Sequence, residues 1–373
     1  MKKKNGTITS PLGFKAFGMA CGIKKSGKKD LALIVSTSPS VVAGVFTKNQ
    51  YQAAPIIVSK KNIKSGVCRA IIANSGNANC RCTDGAVKDA EKMVETAAKA
   101  LNINVKHVLV TSTGSIGKPL PMKKIVSGIK TIAKKISEDG GHDAAEAILT
   151  TDTRTKEIAV KVDGYKIAGI AKGSGMIAPD MATMHAFITT DAQINLKLLK
   201  QILKKSVDSS FNMLTVDNCM STNDCVFVLA NGLSGVRIED KVKTEKFSKA
   251  LDFVCKYLAS EIARDGEGAT QLIRVIVKGA RNLADARIAA KAIAGSDLLK
   301  CAVYGKDYNP GRIFAAVGAT CAKINPHKMK VDMRFGEKET VIMCNLGSGK
   351  ATAEAWGCDL TYGYVKINAR YHT

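Results

Sequence analysis

Residues 172–192 read KGSGMIAPDMATMHAFITTDA, with the dipeptide Ala182-Thr183 at their centre. A small residue precedes a hydroxyl-bearing one, behind a Gly-rich approach and ahead of the apolar segment Met184, Ala186, Phe187 and Ile188. That order suits a chain that cuts itself. Gly173, Gly175 and Pro179 permit a tightly turned, strained backbone. Strain at the Ala182 carbonyl would let the Thr183 hydroxyl attack its own preceding peptide bond. An N-to-O acyl shift followed by hydrolysis would leave Thr183 as a new N-terminus, with nucleophile and base on one residue. An α-amine of pKa about 7.8 is roughly one-seventh neutral at pH 7, against about one in 2,500 for a free lysine. Such an amine acts as a base at neutral pH without extensive tuning. An Ala-Thr pair in a Gly-rich loop is also an ordinary loop, so the dipeptide alone does not decide the matter.

The elements that must position this segment are legible in the hydrophobic pattern. EIAVKVDGYKIAGIA (157–171) has two alternating segments around Asp163-Gly164, the pattern of a tight hairpin leading directly to Lys172. Strand-like runs occur at Leu31–Val35, Val41–Phe46, Ala70–Ala73, His107–Val110, Cys225–Leu229, Leu272–Val277 and Ile313–Val317. Helical spacing predicts amphipathic helices over Ala86–Leu101, Pro121–Ile136, Leu196–Phe211 and Phe247–Ile262. Strands and helices are intermixed without strict alternation, which predicts a layered α+β or α/β sandwich rather than a barrel or dinucleotide fold. TSTGSIG (111–117) lies between the strand ending at Val110 and the helix beginning near Pro121. A small-residue loop there exposes backbone N–H groups to an anion or oxyanion, or serves as a plain strand-to-helix turn. CNLGSGKAT (344–352) fails as a phosphate loop, with Cys344 at the first Gly position and Ala351 after Lys350.

Composition excludes several functional classes. No apolar stretch reaches the ~20 residues of a membrane helix, and the basic start MKKKNGTITSPLGF lacks the apolar run of a signal peptide. A soluble, cytoplasmic protein is expected. The eleven cysteines include no CxxC, and the five histidines form no ligand pair, so reduced thiols and no metal are expected. The net charge of +24 raises the question of nucleic acid. The basic residues are spread as Lys-Lys pairs, aromatics are only 5%, and no nucleic-acid motif is present, so a Lys-rich solvated surface is the expectation, with steering of acidic substrates such as glutamate or a CoA phosphate as the alternative.

KGSGMIAPDMATM closely resembles the maturation-site signature of the ornithine acetyltransferase (bifunctional glutamate N-acetyltransferase) family of arginine biosynthesis. The resemblance extends, in the family's order, through TSTGSIGKPLP (111–121), LTTDT (149–153), TVDNCMSTND (215–224), RDGEGAT (264–270) and YVKINARYHT (364–373). It implies a layered α-β-β-α sandwich with a second α/β lobe, cut between Ala182 and Thr183 into an α chain (1–182) and a β chain (183–373). It also implies a glutamate N-acetyltransferase that takes the acetyl group from N2-acetylornithine by a ping-pong route through an acetyl-threonine on Thr183. Acetyl-CoA is a second candidate donor, and no cofactor is implied. By the resemblance, Thr113 and Gly114 form the oxyanion hole. Lys172 pairs a substrate carboxylate, Glu267 binds the substrate's ammonium group, and Asn368 and Thr373 reach back into the site. In LTTDT the substrate contact is assigned to Thr150, with Thr151 and Thr153 as rivals. The family further implies a heterotetramer of two αβ pairs. Asp180 and His185 depart from the Asn and Leu common in the family, and both flank the proposed cut. Two other classes stand against this reading: an N-terminal-threonine hydrolase or aminopeptidase, and a basic nucleic-acid-binding protein.

Overall fold

The structure, a computed structural model, describes residues 2–4, 6–80, 85–178 and 184–369. The first part of the chain forms β1 (Lys2–Lys4), β2 (Phe14–Met19), β3 (Leu31–Phe46), α1 (Ala54–Asn62), β4 (Val67–Asn77), α2 (Ala86–Leu101) and β5 (Val108–Ser115). Then come α3 (Met122–Ile132), α4 (Gly141–Ala147), β6 (Lys156–Val162), β7 (Tyr165–Lys172), β8 (His185–Thr190), α5 (Leu196–Asp208), β9 (Cys225–Ala230) and α6 (Lys241–Arg264). The last part forms β10 (Leu272–Ala280), α7 (Leu283–Ala294), α8 (Asp297–Tyr304), α9 (Pro310–Gly318), β11 (Lys330–Phe335), β12 (Glu339–Asn345), β13 (Ala351–Cys358) and α10 (Tyr362–Asn368).

The main sheet runs β1-β6-β7-β8-β9-β3-β4-β5, with β2 paired to β3. β3 is the long strand on which it turns. Its first residues pair with β2 and β4, its last with β9, and the β4 register shifts between Val35 and Ser40. Pro39 stands at that break, where it has no N–H to give a ladder. The runs Leu31–Val35 and Val41–Phe46 are thus one bent strand, not two.

Side-chain alternation sorts the residues of this sheet into layers. Ile34, Ile71, Leu109, Ile170, Phe187 and Phe227 meet in a core between the two halves of the sheet. Leu33, Ile72 and Val110 point the other way, against Val94, Ile125 and Ile129 of α2 and α3. On the far side Ile167, Ile188 and Val228 pack under Leu203 of α5 and Leu258 of α6. The order is helix, sheet, sheet, helix. In α6, Leu251, Val254, Leu258 and Ile262 are fully buried, each worth roughly 1.5–3 kcal/mol of apolar transfer.

A second lobe follows, a sheet of order β11-β12-β10-β13 with α7 packed on β10 and β13. Here the strand expected over Ile313–Val317 is instead the helix α9. Pro310 supplies its first turn, while Ile313 and Val317, four apart, are both buried and Phe314 between them is exposed. The Gly-Ser-Gly-Lys run at 347–350 links β12 to β13 and precedes no helix. No described helix is long and apolar enough to cross a membrane.

Candidate active site

The hairpin, β5 and the loop after α6 end together around one pocket. Its lining includes Thr113, Gly114, Thr150, Thr151, Lys172, Gly175, Asn223, Glu267 and Asn368. Six matched segments, scattered from 111 to 368 in the sequence, therefore share one concavity. Ala182, Thr183, Thr373 and Asp180 lie outside the described residues, so their placement is not part of this geometry.

Thr113 and Gly114 sit near the end of strand β5 rather than in a free loop, because the β4–β5 ladder continues to Ser75↔Thr113 and Gly76↔Gly114. Gly114 has φ +129°, and a Cβ there would lie 2.3 Å from the Gly76 carbonyl carbon. Only glycine fits. Lys172 is the final residue of β7 and is 3% exposed. Its Nζ donates to Thr113 Oγ1 at 3.3 Å, which leaves the Thr113 hydroxyl hydrogen free to point at a ligand. Burial pushes the Lys172 ammonium below its ordinary pKa, while Asp152, Asp224 and Glu267 partly oppose that shift.

Glu267 is held on two sides. Its N–H donates to Ser174 O at 2.9 Å, and its Oε2 accepts from Asn368 Nδ2 at 2.8 Å. The carboxylate passes so close to Gly175 that a Cβ there would lie 2.2 Å from Oε2. Of the two glycines, Gly173 takes φ +149° and Gly175 is needed for room. The sharpest local backbone falls on Met176, a non-glycine residue at φ +57°.

Beneath the pocket lies a charged cluster that motif matching overlooked. Lys156, 1% exposed, donates to Asp152 Oδ1 at 2.7 Å and to Asp265 Oδ2 at 2.6 Å. Asp152 also accepts the Gly173 N–H at 2.7 Å and the Thr150 N–H at 2.9 Å. Asp265 takes the Thr153 hydroxyl, and its carbonyl accepts from Ser174 Oγ at 2.6 Å. One lysine thereby ties LTTDT, the exit of β7 and RDGEGAT to each other. Asp152 and Asp265 were visible inside two of the matched segments; Lys156, four residues after Asp152, was the missing partner. Thr153 is committed to Asp265, whereas Thr150 and Thr151 both face the pocket.

His185 pairs with Lys172 across β7 and β8. Burial, reinforced by the Lys172 charge, pushes its pKa down to about 3. Nε2 lies 3.0 Å from Asn223 O, to which it donates as a neutral ring, and the buried Nδ1 has no partner among the described residues. A neutral ring takes the place of the leucine expected from the resemblance. No group of three His, Cys, Asp or Glu able to hold a metal is found among the described residues.

The family model described as "ArgJ family" matches residues 15–373. The chain belongs to the ArgJ family. It is 46% identical over 397 residues to the arginine biosynthesis bifunctional protein ArgJ of Symbiobacterium thermophilum, covering 99% of each chain. It is 44% identical over 399 residues to the protein of that name from Bacillus subtilis, covering 100% of this chain and 98% of the other. A solved structure of the Bacillus halodurans arginine biosynthesis bifunctional protein argJ is 41% identical, with a TM-score of 0.45, and covers 48% of this chain and 96% of its own. The matched region of the ArgJ family model spans every residue of the pocket.

Proposed function

We propose that this ArgJ family member is a glutamate N-acetyltransferase of arginine biosynthesis, moving the acetyl group of N2-acetylornithine to L-glutamate. Thr183, freed by a cut after Ala182, is the nucleophile. Its Oγ adds to the acetyl carbonyl carbon while its α-amine takes the hydroxyl proton, and the Thr113 hydroxyl and Gly114 N–H donate to the oxyanion. The C–N bond to ornithine breaks, and the leaving nitrogen takes that proton. Glutamate then enters, its amine attacks the acetyl-threonine ester, and N-acetylglutamate leaves with Thr183 regenerated. Lys172 pairs a substrate carboxylate and Glu267 binds the substrate's ammonium group. Asn368, Thr150 and Thr373 complete the contacts, with Thr151 an alternative to Thr150.

The observation that carries this reading is the meeting of Thr113, Gly114, Lys172, Glu267 and Asn368 in one pocket whose wall is the exit of β7. In the same reading the products 1–182 and 183–373 stay together as αβ pairs, two of which form a heterotetramer in the cytoplasm. Acetyl transfer from N2-acetylornithine to glutamate, followed by mass spectrometry of both products, tests the assignment. Transfer lost in Thr183→Ala and lowered ~10²–10³-fold in Thr113→Ala is the expected result. Acetate release with water alone, at the same rate with or without glutamate, would turn the assignment to a hydrolase. Replacing acetylornithine by acetyl-CoA tells whether a second donor is used.

A further inference from the structure

Met176 stands at φ +57°, a conformation that a residue with a side chain adopts only when its surroundings impose it. Both of its neighbours are fixed. On one side Gly175 is pressed against the Glu267 carboxylate. On the other Ile177 is fully buried, and its carbonyl accepts from Val216 N–H at 2.8 Å and from Thr215 Oγ1 at 3.2 Å. The chain must turn sharply between them, and Asp217 holds the turn. Asp217 Oδ2 accepts the Met176 N–H at 2.6 Å, and Oδ1 accepts the Ile177 N–H at 2.8 Å. Oδ1 also takes the Cys219 N–H at 3.2 Å, and Oδ2 the Tyr364 hydroxyl at 3.3 Å. A carboxylate offers about four acceptor positions, so Asp217 has none left for a ligand. It acts on the pocket only through what it holds.

The turn places Met176 at the mouth of the pocket. Met176 and Ile116 both line it, 42% and 43% exposed. Among the described residues they are its only large apolar lining; the rest are small, polar or charged. The transfer proposed above uses neither. Yet its donor, N2-acetylornithine, carries a run of methylenes that ends in its one ammonium group. In that reading the ammonium meets Glu267, whose carboxylate lies against Gly175, the residue next to Met176. The methylenes leading to it must therefore pass the Met176 side chain.

We propose that Met176 is a specificity-determining residue that gauges the length of the donor's side chain, with Asp217 as the positioning residue that sets it in place. This rests on the transferase reading given above. Met176 and Ile116 shelter the methylenes, and sheltering one methylene from water changes binding about four-fold.

The test sets N2-acetylornithine against N2-acetyl-2,4-diaminobutyrate, its homologue shorter by a methylene, in a single reaction with glutamate. The ratio of the diamino acids released follows the ratio of kcat/KM for the two donors at equal concentration. It does not depend on how much of a preparation is active. Wild type is expected to favour N2-acetylornithine. Met176→Gly, which takes φ +57° freely but has no side chain, should lower that preference about four-fold. Asp217→Asn leaves one of the two turn N–H groups facing an amide NH2 and should lower it by a similar factor. The double variant should then do no worse than Met176→Gly alone, because Asp217 acts through Met176. A general loss of structure would slow both donors alike and leave the ratio where it was. A preference unchanged in Met176→Gly, or effects that multiply to about sixteen-fold in the double variant, overturns the proposal. Should Asp217→Asn fail to melt cooperatively, Met176→Gly decides the matter alone. Wild type that releases neither diamino acid rejects the transferase reading itself, a separate outcome from any variant result.

Discussion

Gly175→Ala isolates the role of Glu267 without touching it. The backbone of Gly175 lies outside the left-handed region, so alanine is conformationally acceptable there. The new methyl, however, would lie 2.2 Å from Oε2, 2.3 Å from Cδ and 2.5 Å from Oε1 of Glu267. To reach ordinary contact the carboxylate must withdraw by roughly 1 Å. It can, because it is the far end of a flexible side chain, while Glu267 N–H stays anchored on Ser174 O. A displacement of that size removes a charge-assisted hydrogen bond to a substrate ammonium, worth about 1.5–3 kcal/mol. The KM for N2-acetylornithine should then rise roughly 10- to 150-fold, with little change in thermal stability. Initial rates across donor concentration, together with melting curves, check this. Unchanged KM in a variant that melts like wild type would refute the assignment of Glu267 to the ammonium. A large fall in melting temperature would show that Gly175 serves packing instead.

Two further outcomes follow from the buried charges. Lys156→Met strands two carboxylates in the interior and should cost about 3–5 kcal/mol in urea unfolding at pH 7. In wild type, burial alone would raise Asp152, but Lys156 and Lys172 outweigh it and hold it below the usual carboxylate range. Its stabilising share is therefore present above about pH 4 and is lost as the pH falls further, and the deficit of Lys156→Met should narrow as the pH is taken below about 4. His185→Leu should leave stability at pH 7.5 equal or higher, since it removes a buried nitrogen without a partner. The folded His185 titrates at about 3, so in wild type the unfolded chain binds a proton first as the pH drops below about 6.5 and stability falls. That slope should flatten in the leucine variant, measured as melting temperature from pH 7.5 to 5.

The parts of this molecule that were legible in its sequence are those where local chemistry and tertiary burial agree. Asp163-Gly164 set the hairpin, with Gly164 at φ +90°, and α2 runs over Ala86–Leu101 as its spacing predicts. Where several signals compete, reading failed. Pro39 hid the continuity of β3, and the branched residues Ile313 and Val317 resembled a strand although their spacing of four fits one helix face. TSTG looks like loop because small residues dominate it, yet β4 gives it a ladder partner 38 residues away in sequence. The pocket residues were found through motifs, whereas Lys156 is tied to a partner 109 residues distant. No local pattern encodes such pairings.

The sheet order carries a consequence for what a cut can do. β8 lies between β7 and β9, and β9 pairs in turn with β3. A break between residues 182 and 183 separates β3 and β7 from β8 and β9 in covalent terms, yet each of those ladders still joins one product to the other. The two pieces are interleaved like the fingers of clasped hands. Parting them means pulling two strands out of the middle of a sheet covered on both faces, so scission changes the bonding of the chain without creating two exchangeable subunits. Products marked in separate copies of the protein would not trade places unless the sandwich unfolded.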